Sequence, residues 1–348
     1  MALLKLLDPL RRLLTSAEPV ERRARGLADL GRYREAIDLL AAVPAEEVDF
    51  ATLRDLVRWR HAAFAPEAGR PDWPPCMPDP FPGNRGLPEI GASALTSAIL
   101  GGAILHHGCL LVRGLIDPAQ TRSLAKVVNQ ALDAAQASIS ADQPDSPWFA
   151  PYMLQPGDGL YEGGRKFVIE GGGVFAADAP RALADYLAFL KTHGVVAMIE
   201  EYLGERAYLS IGKSTLRRVP PDTLAGWHQD GRFLGADIRT VNCWLTLSDC
   251  GDDAPGLDLF PQRQTHIIET GSKRALDWWV VGDGLAEEMA QTTPSVNPLL
   301  KAGDALLFDQ MLLHRTGARP GLSRERLAIE SWFFAGSTFP MKQMPLAL

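Results

Sequence analysis

A histidine and an aspartate stand two positions apart at His228 and Asp230, after the extended-looking run 207–212. In an extended segment, residues i and i+2 point to the same face, so these two side chains are predicted to converge on one ion. A distant second histidine would complete a 2-His-1-carboxylate triad, which leaves coordination positions open and is typical of non-haem Fe(II) oxygenases. His314 is our candidate for that histidine. Because a lone His-x-Asp pair is common by chance, the prediction needs further residues.

A cation is the next requirement of such a site. If the co-substrate is a 2-oxo acid, its far carboxylate needs a partner, and the planar fork of arginine suits it. Arg326 begins the alternating stretch 326–332, so its side chain is predicted to project into a barrel interior. Arg324 has the same parity and remains the alternative. Without the metal motif, two exposed arginines at the start of a strand would explain the pattern equally well.

Three further basic residues, Lys213, Arg217 and Arg218, lie together upstream of the metal motif. They can meet an anionic substrate, and they are equally well explained as solvated charges on a strand. Lys213 and Arg217 share parity and so are predicted to lie on one face.

The elements that must position these side chains are short β-like runs. They are separated by glycine and proline, as in a sandwich or barrel, and a jelly roll is one compact closure. The runs are 208–211, 214–219, 240–247, 257–260, 267–268, 304–308 and 327–334. Helical patterns over 119–137 and 177–203 precede most of them. The fold class is therefore predicted to be α+β, with one main domain over residues 90–348.

Two segments precede that domain. Residues 1–65 are predicted to be a helical extension, with leucines on one face of 3–14 and a tetratricopeptide-like pattern over 27–40. We expect it to pack on the main domain or to support self-association with another subunit. Residues 66–89 are proline-rich and are predicted to be an extended linker packed over the domain. The Gly-rich stretch 138–173 is predicted to be an irregular covering loop.

Composition excludes several classes of protein. With 46% hydrophobic and 22% charged residues, the 348-residue chain has the composition of an ordinary globular protein. Its net charge of −7 argues against a general nucleic-acid or anionic-membrane binder. No run approaches the roughly 18 apolar residues of a membrane span. Four scattered cysteines and no secretory pattern predict reduced thiols in the cytoplasm.

Five segments together resemble the phytanoyl-CoA dioxygenase family in order and approximate spacing. They are His228-Gln229-Asp230, Asn242-Cys243-Trp244-Leu245, residues 254–261, His314-Arg315-Thr316 and Arg326-Leu327-Ala328-Ile329. The resemblance covers about 108–334. It implies a double-stranded β-helix (a jelly-roll, cupin-like fold) that binds Fe(II) and uses 2-oxoglutarate and O2 as co-substrates.

The same resemblance implies roles for individual residues. It makes His228, Asp230 and His314 the iron ligands and the catalytic centre. It makes Arg326 and Thr316 the holders of the distal 2-oxoglutarate carboxylate. Three further residues match positions that line the same cofactor pocket: Thr215, Gln229 and Trp244.

One residue more than usual separates His314 from the arginine, which keeps Arg324 open as the clamp. The expected reaction is hydroxylation, or another oxidation of a C–H bond, in a small-molecule or carrier-linked metabolite, with release of succinate and CO2. Asp230 fills the position that related halogenases leave free for a halide, which favours hydroxylation. The alternatives are a divalent-metal hydrolase with the same three ligands and a non-catalytic β-barrel binding protein.

Overall fold

The computed structural model describes residues 18–66, 68, 72–141, 144–153, 162–223 and 225–348. In this part of the chain the strands form a nine-stranded sheet and a two-stranded sheet. The large sheet contains β1 (Glu89–Gly91), β2 (Cys109–Arg113), β3 (Gly173–Phe175), β4 (Ala207–Ser210), β5 (Thr215–Val219), β6 (Thr240–Thr246), β8 (Ala305–Phe308), β10 (Arg326–Ala335) and β11 (Pro345–Ala347). The small sheet contains β7 (Gly256–Leu259) and β9 (His314–Gly317).

The large sheet runs in the order β1-β2-β8-β6-β10-β4-β11. Strand β10 is long enough to pair with β5 through its first half and with β4 through its last residues, and β3 pairs with β5. Every pair is antiparallel except β1 with β2. Isolated bridges extend the small sheet on both sides, from His228 to His314 and from Leu259 to Val296.

Strand β10 shows how the core is divided. Leu327, Ile329 and Phe333 pack with the helices on one face of the sheet. Ala328 and Trp332 lie on the opposite face, in a cluster with the leucines of the small sheet. Both faces are therefore buried, one under helices and one inside a barrel made with the small sheet. This arrangement confirms the α+β jelly roll with flanking helices.

The helices precede most of the strands in the chain. They are α1 (Val20–Asp29), α2 (Tyr33–Leu40), α3 (Phe50–Ala62), α4 (Ser97–His107), α5 (Pro118–Ala141), α6 (Glu162–Glu170), α7 (Pro180–Thr192), α8 (Val195–Leu203), α9 (Gly231–Leu234) and α10 (Asp283–Ala290). Helices α5, α7 and α8 supply apolar side chains to the covered face of the large sheet. No single helix among the described residues is long and apolar enough to cross a membrane; α7 and α8, bent by 72°, meet the length and composition test only as a pair.

The N-terminal helices contact the barrel through polar groups. Arg60 on α3 donates to the Ala347 carbonyl of β11 at 2.7 Å, and Arg34 on α2 donates to the Tyr208 hydroxyl at 2.7 Å. The proline-rich segment also lies on the main domain, with Trp73 5.4 Å from the Tyr202 ring. Self-association through these helices stays a prediction. The domain boundaries at residues 65 and 89 also stay predictions. The leucine face over 3–14 lies outside the described residues.

Two predictions of local structure are wrong. The stretch 138–173 is not irregular throughout, because it contains the end of α5 and all of α6. Burial of Val168 in the helix-side core favours a helix despite the glycines around it. The run 267–268 is not a strand; the backbone N–H of Ile268 bonds to the side chain of Gln229 instead. Residues 154–161 of the predicted loop lie outside the described part of the chain.

Candidate metal centre

The fold brings His228, Asp230 and His314 together although His314 lies 86 positions after His228 in the sequence. One potential ligand atom from each lies within 4.8 Å of the other two. The cause is backbone pairing: His228 N–H donates to the His314 carbonyl at 2.9 Å, and His314 N–H donates back at 3.1 Å. Asp230 follows two residues later, and its Oδ2 lies 3.7 Å from His314 Nε2.

Both histidines have their other ring nitrogen occupied. His228 Nδ1 lies 3.0 Å from the Gly226 carbonyl, and His314 Nδ1 lies 3.1 Å from the Leu312 carbonyl. Because a carbonyl oxygen only accepts, Nδ1 must carry the proton in each ring, which leaves the Nε2 lone pair free for a metal. Burial, together with the neighbouring His228, lowers the pKa of His314 to about 4, so His314 is neutral at pH 7.

Asp230 supplies the negative charge of the cluster. Burial opposes its ionisation, but the positive charge of Lys213 and the two histidines lower its pKa to about 2. Lys213 Nζ lies 2.6 Å from Asp230 Oδ1. Asp230 Oδ2 is buried and has no hydrogen-bond partner among the described residues. One carboxylate oxygen is therefore held by lysine while the other is aimed at the cluster, which fits an Fe(II) ion bound by two imidazoles and one carboxylate.

Arg326 lies inside the barrel. It is 3% exposed and donates through Nη1 to the carbonyls of Pro255 at 3.2 Å and Gly256 at 2.8 Å. Its guanidinium carbon is 5.0 Å from the centre of the Trp244 ring. Its Nε is buried without an acceptor, and Arg326 has no carboxylate within salt-bridge distance in the described part of the chain. Burial lowers its pKa to about 10, so it is charged at pH 7.

Arg324 lies at the surface instead. Its Nε pairs with Asp253 Oδ2 at 3.1 Å, and its side chain is 59% exposed. The shared parity of the two arginines does not give them a shared environment, because Arg324 precedes the first residue of β10. Of the two candidates, the structure places only Arg326 where a carboxylate in the barrel can reach it.

The threonines and the tryptophan predicted to line the pocket are on inward-facing positions. Thr316 follows His314 by two residues on β9 and so shares its face. Thr215 is 4% exposed, with its hydroxyl 3.5 Å from Glu330 Oε2 across the β5–β10 pair. Trp244 lies beneath Arg326.

Gln229 does not face the cluster. Its amide nitrogen donates to the carbonyls of Met311 at 2.8 Å and His266 at 3.2 Å, and its oxygen accepts from Ile268 N–H at 2.7 Å. This corrects the prediction that Gln229 lines the cofactor pocket. The physical reason is the two-residue alternation that turns Gln229 away from its neighbours His228 and Asp230.

Sequence reasoning missed two polar residues on the inner face of the large sheet. Glu330 on β10 is half-buried and accepts from Trp332 Nε1 at 3.0 Å. Asn242 on β6 is fully buried, and within the described part of the chain neither its amide oxygen nor its amide nitrogen has a hydrogen-bond partner. Asn242 pairs with Phe308, whose ring is 5.0 Å from that of His314. The signal in the sequence was parity: Glu330 is in phase with Arg326, and Asn242 with Trp244.

Residues 165–324 match the sequence model of the phytanoyl-CoA dioxygenase (PhyH) family. The match spans 160 of the 348 residues, and this part of the chain is similar to that family. The matched range contains His228, Asp230 and His314 and ends two residues before Arg326. The domain match indicates a 2-oxoglutarate-dependent dioxygenase that uses Fe(II), and the three converging side chains fit that metal.

No curated protein matches the sequence. Among solved structures, the apoform of EctD from S. alaskensis is 18% identical, with 71% of this chain and 79% of that chain covered at a TM-score of 0.47. EctD from the same organism with 2-oxoglutarate and 5-hydroxyectoine is 18% identical, with coverage of 67% and 74% and a TM-score of 0.45. EctD with bound Fe gives the same identity and coverage at 0.44.

Proposed function

We propose that this dioxygenase hydroxylates, or otherwise oxidises, a C–H bond of a small-molecule or carrier-linked metabolite, with His228, Asp230 and His314 as the iron ligands. When bound, Fe(II) with 2-oxoglutarate and O2 supplies the oxidant, and succinate and CO2 are the co-products. The observation that supports the ligand assignment best is the convergence of one carboxylate oxygen and one ring nitrogen from each of two histidines within 4.8 Å.

Arg326 supports the placement of 2-oxoglutarate. The Gly256 carbonyl, which accepts from Arg326, belongs to a residue that pairs with Gly317 at the end of β9. His314 begins β9, three residues before Gly317. Three steps of an antiparallel strand span roughly 10 Å. A five-carbon diacid fits this interval, with its oxo-acid end at the metal and its far carboxylate on the free edge of the guanidinium, beside Thr316. The charge-assisted bond would also satisfy the unpartnered Nε of Arg326.

Aromatic side chains keep this part of the barrel dry. Phe308 and Trp332 are fully buried and meet edge to face at 5.9 Å, and Trp244 is 4% exposed. Little water can enter the barrel beside these rings, and a dry environment strengthens the electrostatic interactions of Asp230 and Arg326. A hydrolase with the same three ligands would give Arg326 no role, and for that reason we favour oxidation over hydrolysis.

The test of this proposal is metal binding together with turnover. Asp230→Ala and His228→Ala should each lose most of the bound iron and the Fe(II)-dependent formation of succinate from 2-oxoglutarate, since two ligands remain where three are needed. His266→Ala is the matched control, because that histidine is exposed and lies outside the cluster. Iron content that is unchanged in either ligand variant would disprove the assignment. Turnover with Zn(II) and without 2-oxoglutarate would favour hydrolysis.

A further inference from the structure

The basic cluster of Lys213, Arg217 and Arg218 is divided by the fold. Arg218 points to the helix side of the sheet, where Nη1 pairs with Asp133 at 2.9 Å and Nη2 donates to Asn129 at 2.6 Å. Lys213 is engaged by Asp230. Arg217 is therefore the member of the cluster that remains to be explained.

Arg217 has the parity of the inner face. It pairs with Ala328, which lies in the cluster inside the barrel, whereas its neighbour Leu216 lies in the helix-side core. Nη2 of Arg217 donates to the Gly171 carbonyl at 2.8 Å. Its Nε is buried without an acceptor, and no carboxylate of the described residues lies within salt-bridge distance of it. A buried N–H without an acceptor is destabilising, and an anion that accepts from it would form a strong, charge-assisted hydrogen bond.

The charged side chains near Arg217 carry more positive than negative charge. Lys213, Arg217 and Arg326 interact electrostatically with one another or with Glu330, and Lys213 also with Asp230. Three cations and two carboxylates leave one positive charge in excess. The two positive charges of Fe(II) and the two negative charges of 2-oxoglutarate cancel. The loaded site therefore still has one positive charge, which a singly charged anion balances better than a phosphate monoester does.

Two aromatic side chains, Phe233 and Trp279, lie beside Lys213 and His228. Phe233 is 47% exposed, and its ring lies 5.4 Å from Lys213 Nζ and 5.7 Å from the Trp279 ring. Trp279 in turn lies 5.8 Å from the ring of His228. Apolar surface thus adjoins both a metal ligand and the lysine that interacts with Arg217.

We infer that Arg217 binds a carboxylate of the substrate, whose apolar body lies against Phe233 and Trp279. This inference rests on the proposed function, since it assigns the substrate class of the same site. The planar guanidinium presents Nε–H and Nη2–H side by side, and that edge matches the two oxygens of a carboxylate. Arg217 is then a specificity-determining residue, while Arg326 holds the co-substrate.

The inference can be tested by binding, without turnover. Protein loaded with Zn(II) and N-oxalylglycine, an inert isostere of 2-oxoglutarate, is titrated with phenylacetate and with its uncharged analogue phenylacetamide, and both affinities are measured by ligand-observed NMR. Phenylacetate should bind more tightly. Arg217→Gln should weaken phenylacetate binding about 10- to 100-fold, as expected for a lost charge-assisted bond, and should leave phenylacetamide unchanged.

Arg218→Gln is the matched control, because it removes the same charge one residue away on the opposite face. It should leave the preference for phenylacetate intact, and Arg217→Lys should retain part of it. Equal affinity for the two probes in the parent protein, or equal losses in both glutamine variants, would overturn the inference. N-oxalylglycine affinity and thermal stability show whether Arg217→Gln is folded; if it is not, Arg217→Lys decides. Failure of the proposed function is a separate result, seen as absence of Fe(II)-dependent succinate formation in the parent.

Discussion

At the scale of single residues, neighbours of similar type have unlike environments. Arg326 is buried on the Trp244 ring, whereas Arg324 pairs with Asp253 at the surface. Arg217 has no carboxylate partner among the residues that the structure describes, whereas Arg218 pairs with Asp133. Arg217 and Arg218 differ because side-chain direction alternates along a strand, whereas Arg324 differs from Arg326 because it precedes the first residue of β10. These pairs are therefore natural controls for one another.

We predict that Arg326→Gln raises the concentration of 2-oxoglutarate needed for half-maximal succinate formation about 10- to 100-fold. Only the charge-assisted bond to the distal carboxylate is lost, so iron content should remain close to that of the parent protein. Arg324→Gln should change neither quantity, because that side chain already has an exposed partner. If Arg324→Gln were instead the variant that needed more 2-oxoglutarate for half-maximal succinate formation, the assignment of Arg326 would be wrong.

At the scale of elements, the segment bearing the first two ligands is fixed between two others. Its backbone pairs with β9 at His314, and its Gln229 side chain bonds to the backbone at three places. Two of these places lie in the loop 266–268 and the third just before β9. Gln229 thus aligns the ligand-bearing segments without facing the metal.

We predict that Gln229→Leu lowers the free energy of unfolding by about 3 kcal/mol, because it leaves the buried N–H of Ile268 and the carbonyl of Met311 without partners. Denaturant unfolding of the metal-free protein measures this change. The exposed Gln262, in the same region, provides the control Gln262→Leu, which should cost less than about 0.5 kcal/mol. Equal stability of the two variants would mean that Gln229 does not hold the segments together.

At the scale of the whole molecule, the fold buries three of the four cysteine thiols and leaves one exposed to solvent. Cys109, Cys243 and Cys250 are buried in strands or beside them, and Cys76 is exposed in the proline-rich segment. Burial raises the pKa of Cys243 to about 12 and also raises the pKa of Cys109 and of Cys250. The thiolate is the reactive form, so these three thiols are expected to be inert while the fold is intact.

We predict that the native protein reacts rapidly with one equivalent of a disulfide reagent such as DTNB at pH 8, and that Cys76→Ser abolishes this reaction. The denatured protein should react with four equivalents, one for each cysteine in the sequence. More than one fast thiol in the native protein would show that the barrel opens on the time scale of the assay.

The sequence by itself determined the three candidate ligands, the two candidate arginines and the α+β class. His228, Asp230, His314 and Arg326 have side chains whose chemistry is specific, and the alternation of residues 326–332 is a local property. The sequence did not determine which backbone groups Gln229 bonds, that Arg324 is solvated, or that Lys213 pairs with Asp230. Each of these depends on partners 17 to 82 positions away, or on where a strand begins. Only strand pairing across the barrel brings such partners together, because contacts at that separation have no local signal in the chain.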